Sequence, residues 1–164
     1  MSSGGFRAMV GVARYIVVWA ALGTSVAAAS DLDVAGHWVT PDGASIVEIS
    51  DCGDGTPCGV VVAVHPEHGG MVADHNNPDH ALRGRSMVGV TLLHGFEPHR
   101  GAWGAGAIYN PKDGRTYRAR LRLLSDEALS VSGCLGPICK KLVWERADAE
   151  DGATSEAVTE VAAL

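Results

Sequence analysis

The sequence predicts an all-β fold, an eight-stranded antiparallel up-and-down barrel, on three observations. TYRARLRLL (116–124) alternates at period two, with Tyr117, Ala119, Leu121 and Leu123 on one face and Arg118, Arg120 and Arg122 on the other. About eight such short apolar segments follow one another through hairpin-length turns, without a helical period between them. Glycines fall inside the segments (Gly89, Gly104, Gly106, Gly133), where a tight barrel has to bend. Closing the meander on itself would remove exposed strand edges. A two-sheet β-sandwich is the alternative arrangement of the same segments.

The segments run in order. HWVT (37–40) ends at Pro41-Asp42-Gly43, a turn signal, and ASIVEIS (44–50) and CGVVVAV (58–64) follow. A long polar stretch from His65 to Ser86 separates them from MVGVTLLHGF (87–96). WGAGAIYN (103–110) leads through PKDG, with its Asp113-Gly114 hairpin signal, into 116–124. LSVSGC (129–134) and KKLVWER (140–146) complete the set. The barrel domain is therefore expected over residues 30–146.

The ends read differently. Arg7 and Arg14, the apolar run 15–27 and the small residues Ala27–Ala29 have the layout of a secretory signal peptide, residues 1–29. The run is short for a membrane span, and cleavage would leave no stable membrane anchor. Residues 147–164 carry five acids and no base, which predicts a solvated, disordered tail, or a short helix over EAVTEVAAL. A periplasmic or secreted location follows.

With 13 Lys and Arg against 19 Asp and Glu, the chain carries a formal net charge of −6. Loss of Arg7 and Arg14 makes the remainder more negative still. Such a surface is expected to repel nucleic acid and acidic membranes, because phosphate binding needs clustered Lys and Arg. The four cysteines form two close pairs, Cys52 with Cys58 and Cys134 with Cys139. In an exported chain this spacing favours two local disulfide clips, with a four-thiolate zinc site as the rival reading.

Gly36-His37-Trp38 at the first segment and Arg146 at the last resemble the lipocalins and their calycin relatives, in which an indole at one barrel end lies beneath a late arginine. The physical reason is a cation–π contact, worth about 0.5–2 kcal/mol. A second resemblance covers about residues 36–146. GHWVTPDGASIVEI, CGDGTPCG, NNPDHALRGR, WGAGAIYNPKDGRTYRARL and the final GC…C…W-x-R are similar to a family of small exported bacterial proteins known as a domain of unknown function. What it implies is a secreted single-domain barrel with no assigned activity, so no catalytic residue carries over.

Function rests on residues 65–85. Asn77 and Asp79 suit turn-building, and Arg83 and Arg85 can pair with Asp74 or Asp79 and pin the loop across a barrel mouth. The same loop can gate a ligand, since loops of this length carry function. Trp103 and Tyr109, placed on one face with Ala105 and Ala107 between them, are candidates to line an apolar pocket. His65, His68, His75 and His80 form an alternative metal set, opposed by the irregular, Pro- and Gly-bearing loop that holds them. No nucleophile-elbow pattern and no phosphate loop is present. The expectation is a non-enzymatic protein without cofactor that binds a small apolar or amphipathic molecule; an envelope interaction module is a further alternative.

Overall fold

The computed structural model describes residues 33–148; residues 1–29, where a signal peptide is expected, and all but the first two residues of the acidic tail lie outside them. Among the described residues nine β-elements occur: β1 (Gly36–Val39), β2 (Ser45–Asp51), β3 (Pro57–Val64), β4 (Thr91–His94), β5 (Glu97–Pro98), β6 (Trp103–Asn110), β7 (Arg115–Ser125), β8 (Ala128–Leu135) and β9 (Ile138–Arg146). Their order in the sheet is β4-β3-β2-β1-β9-β8-β7-β6-β5, and β4 also pairs with β6. Every pairing is antiparallel, and the β4–β6 contact closes the ring. The meander is thus a closed barrel of eight strands, not a sandwich.

The apparent ninth strand is half of the fourth. Leu93 opposite Ile108, His94 opposite Ala107, Glu97 opposite Gly104 and Pro98 opposite Trp103 share one register, so β4 and β5 are one strand bent at Gly95. The bend tucks Phe96 inward against Gly106, where any Cβ would strike the phenyl ring. Residues 87–90, expected to begin this strand, form a turn instead. Gly89 takes φ 92°, and Val90 donates to the Met87 carbonyl, so β4 starts only at Thr91.

One end of the barrel is closed as the G-x-W pattern anticipates. Trp38 is fully buried, its Nε1 donates to the Val34 carbonyl at 2.9 Å, and the Arg146 guanidinium lies 4.3 Å from the ring centroid. Arg146 also donates to the Asp126 carbonyl, so the β7–β8 turn is drawn over the same plug. Gly36, at φ 132°, leaves the space that this guanidinium occupies. Ile49, Leu121, Leu129 and Val131 belong to the same buried core as Trp38.

Both local disulfides form, Cys52–Cys58 in the β2–β3 turn and Cys134–Cys139 in the β8–β9 hairpin. The first staples the closed end and the second the opposite end. Arg118, Arg120 and Arg122 all lie exposed on the outside of β7, while Ala119 and Leu121 are fully buried, as the alternation predicts.

Candidate functional site

Inside the wall, above the Trp38 plug, lies a cavity of about 640 Å³. Val61, Met87, Leu92, Ile108, Val131 and Leu142 make its sides, and Trp144 forms part of its apolar floor. It opens at the end built from the β1–β2 turn, the β6–β7 turn and the β8–β9 hairpin. Small residues keep it hollow. Gly133 projects no side chain, and a Cβ there would meet Ile108 and Tyr117 only at 3.5 and 3.8 Å, ordinary contact distance. The volume falls within the range of about 300–1,000 Å³ common for small-molecule sites.

Polar groups gather at the rim. Lys112 in the β6–β7 turn pairs with Asp42 in the β1–β2 turn at 2.6 Å, tying two sides of the opening together. Thr40 Oγ1 donates to the other Asp42 oxygen at 2.8 Å. Burial alone would raise the Asp42 carboxyl, but Lys112, Thr40 and the Ala44 amide outweigh it and bring the pKa down to about 2. Lys140 also lines the cavity, opposite Gly133 on β9. No described residue gives its ammonium a hydrogen bond or ion pair.

The long loop between β3 and β4 covers one side of this rim. It folds on itself through an isolated bridge between Ala73 and Ser86, reinforced by Asp74 N–H to Arg85 C=O and Met87 N–H to Val72 C=O. Asn76 Nδ2 then donates to the carbonyls of Pro111 and Lys112 at 3.0 and 3.1 Å. The Asn76 carbonyl lies against Gly114, whose φ of 68° and lack of Cβ both suit the contact.

Asp74 is the hub of the loop. It is 0% exposed and accepts from Tyr109 Oη at 2.5 Å, Asn77 Nδ2 at 2.7 Å, and Arg85 Nε and a terminal Arg85 nitrogen at 3.0 and 2.8 Å. Arg83 Nε donates to the Asn77 carbonyl at 2.8 Å, and the Asn77 side-chain oxygen accepts from the Asp79 amide at 2.9 Å. Asp79 in turn caps the 3₁₀ turn His80–Leu82. Burial would raise the Asp74 carboxyl; the hydrogen bonds from Tyr109, Asn77 and Arg85, with the Arg85 charge, hold it below its ordinary value. Burial and the Asp74 carboxylate together push the Tyr109 phenol up to about 12.

These shifts carry a sign. A raised phenol pKa contributes stability that is complete below pH 10 and disappears as pH climbs through about 12. A depressed carboxyl contributes stability present above its unfolded value near 3.8, lost as pH falls below it. Ultraviolet titration is expected to show Tyr109 ionising last among the tyrosines, and Tyr109→Phe to remove that late component. Ionisation of every tyrosine near pH 10 contradicts the buried hydrogen bond.

The residues singled out from the sequence therefore divide. Asn77, Asp79, Arg83 and Arg85 come together with Asp74 and Tyr109, but as the fastening of the loop. Tyr109 borders the cavity. Trp103 does not. It is 7% exposed and sits beside Val34, Ile49 and Pro57 at the closed end. The expected shared face of Trp103 and Tyr109 is broken by a bulge: the register with β7 shifts between Trp103 and Gly106, and Ala105 adopts φ 55°. A one-residue shift reverses the alternation, so Ile108, opposite Tyr117, takes the inward place. His65 and His68 are neighbours, with rings 6.1 Å apart, and His65 faces Glu67. Among the described residues no group of three or more His, Cys, Asp or Glu is gathered to hold a metal ion, so the four histidines do not converge. Lys140 and Gly133 were missed as site residues. The inward parity of 140, 142 and 144 on β9 is the signal that would have placed Lys140 at the rim.

A plugged, closed, eight-stranded meander with an apolar interior defines the lipocalin class of barrel. A solved structure described as "Protein HP1028 from the human pathogen Helicobacter pylori belongs to the lipocalin family" superposes with a TM-score of 0.63 at 24% sequence identity, covering 76% of this chain and 90% of that one. Residues 36–146 match the model of a family described as "Uncharacterized protein conserved in bacteria (DUF2147)", and the chain belongs to that family. No curated protein matches it.

Proposed function

We propose that this protein is an exported carrier that holds one small amphipathic molecule in its barrel, apolar chain inward and anionic head at the rim, without performing chemistry on it. The observation that carries the reading is the pairing of the 640 Å³ apolar cavity with Lys140, a rim ammonium that no described residue neutralises. An aliphatic chain released from water would drive binding, at about 0.8 kcal/mol per buried methylene. The ammonium would select a carboxylate or similar head, because a charge-assisted hydrogen bond is stronger than a neutral one. Asp42 and Asp74 are already engaged, the first by Lys112 and the second by the loop, which favours holding over catalysis. The lipocalin-type fold supports the same reading by analogy. Two disulfides fit an oxidising compartment, and so a periplasmic or secreted site of action.

Fluorescence titration with a fatty-acid probe displaced by laurate or by lauryl alcohol tests the head group. Lys140→Ala is expected to weaken laurate binding by about tenfold and to leave the alcohol nearly unaffected. Equal affinities for acid and alcohol, unchanged in the variant, sink the assignment of Lys140.

A further inference from the structure

The β8–β9 hairpin stands at the cavity mouth and ends in the sequence Leu135-Gly136-Pro137-Ile138. Leu135 is 70% exposed and Ile138 is 77% exposed, the two most exposed of the large hydrophobic side chains described. Exposed aliphatic groups are ordinary when scattered, but these two flank one turn and are held together. The Cys134–Cys139 disulfide sits immediately behind them, and a terminal Arg118 nitrogen donates to the Gly136 carbonyl at 3.1 Å. The tip is therefore a rigid apolar point.

Its surroundings are cationic. Lys140 and Lys141 follow the tip, Arg118 reaches it from β7, and no Asp or Glu occurs between Cys134 and Val143. The carboxylates elsewhere at this end each have a hydrogen-bond partner: Asp42 in Lys112, Asp113 in Tyr117, Asp74 within the loop, Glu67 in His65 and Asp79 in the Ala81 amide. The opposite end carries Asp51, Asp54, Asp126, Glu127 and Glu145 on its turns and strand ends. Charge is thus divided along the barrel, although the net charge is negative. A barrel roughly 30 Å long separates the acidic end from the mouth by several Debye lengths of about 8 Å at physiological salt. The local cations then govern what approaches the mouth.

We infer that the β8–β9 tip is a docking point for an anionic lipid surface, with Leu135 and Ile138 entering the headgroup boundary and Arg118 and Lys141 contacting phosphates. A four-residue point is too small for a stable protein interface, which needs about 800 Å² from each partner, whereas shallow insertion with a few basic residues suits a membrane surface. Docking in this orientation places the mouth against the lipid, so an apolar molecule passes between bilayer and barrel without crossing water. Docking itself does not require an occupied cavity.

Sedimentation of the purified, disulfide-intact protein with vesicles tests the inference. Vesicles of phosphatidylethanolamine and phosphatidylglycerol are expected to carry it down, and phosphatidylcholine vesicles are not. Leu135→Ser/Ile138→Ser is expected to weaken the partition by about tenfold or more, and Arg118→Glu/Lys141→Glu by a similar factor. Neither Arg118 nor Lys141 lines the cavity, so laurate binding by the charge variant should match the wild type. Failure to sediment with anionic vesicles, equal partition onto neutral ones, or indifference to both double substitutions overturns the docking. A dimer that dissociates on Leu135→Ser/Ile138→Ser also overturns it, by giving the tip a second copy as its partner. Laurate affinity is read separately on the wild type, so loss of the carrier reading and loss of the docking leave different signatures.

Discussion

Asp74→Ala is expected to lower the free energy of unfolding by about 3 kcal/mol and to expose the loop between β3 and β4 to proteolysis. The carboxylate is fully buried and accepts four hydrogen bonds, from Tyr109, Asn77 and Arg85. Its removal strands a phenol, an amide and a guanidinium at once. Arg85 is 38% exposed at its side chain and can turn to water, which keeps the cost at the low end of values for broken buried pairs. Asp74→Asn retains the shape but loses the charge that Arg85 and the Tyr109 hydroxyl address, so an intermediate loss is expected. Urea denaturation of the three proteins measures it. A change below about 1 kcal/mol for Asp74→Ala would mean that the network is a surface decoration and the loop is held by other contacts.

Gly133→Leu acts on the interior and has the opposite sign. The side chain enters empty space on the inner face of β8, between Ile108 and Tyr117. Burying it there is expected to stabilise the barrel by about 1–2 kcal/mol, helped by removing a glycine from a strand. Ligand affinity should fall by more than about a hundredfold, because the leucine fills the place of the bound chain. A filled barrel predicts the reverse, since an added isobutyl group would overpack it and cost about 1–3 kcal/mol. The direction of the stability change therefore separates a hollow barrel from a packed one without reference to any ligand.

Much of the frame was legible because it depends on local patterns. Alternation in Tyr117–Leu123 placed β7 with the arginines outside, and the turn signals at Pro41–Gly43 and Asp113–Gly114 stand where hairpins form. Cysteine spacing anticipated both clips, and Gly36, Trp38 and Arg146 anticipated the plug. Inside the site, local pattern failed for identifiable reasons. The bulge at Ala105 reverses strand parity midway along β6, which no periodicity reports, and so broke the shared face of Trp103 and Tyr109, while Trp103 itself lies at the closed end. Gly89 looked like a strand glycine yet closes a turn. The hub around Asp74 joins positions more than thirty residues apart, as in the Tyr109 and Asn76 contacts. Composition could show that the loop was polar, but not that its polarity is spent on fastening. Division of charge between the two barrel ends is likewise a property of the folded object, invisible in a net charge of −6.

The most direct test is native mass spectrometry of the delipidated protein with laurate in excess, run beside Gly133→Leu. A wild-type population shifted by the mass of a single laurate, with Gly133→Leu unshifted, is the predicted result. Equal adduct distributions for both proteins, or bare protein in each, would contradict a hollow barrel that receives one chain through its open end.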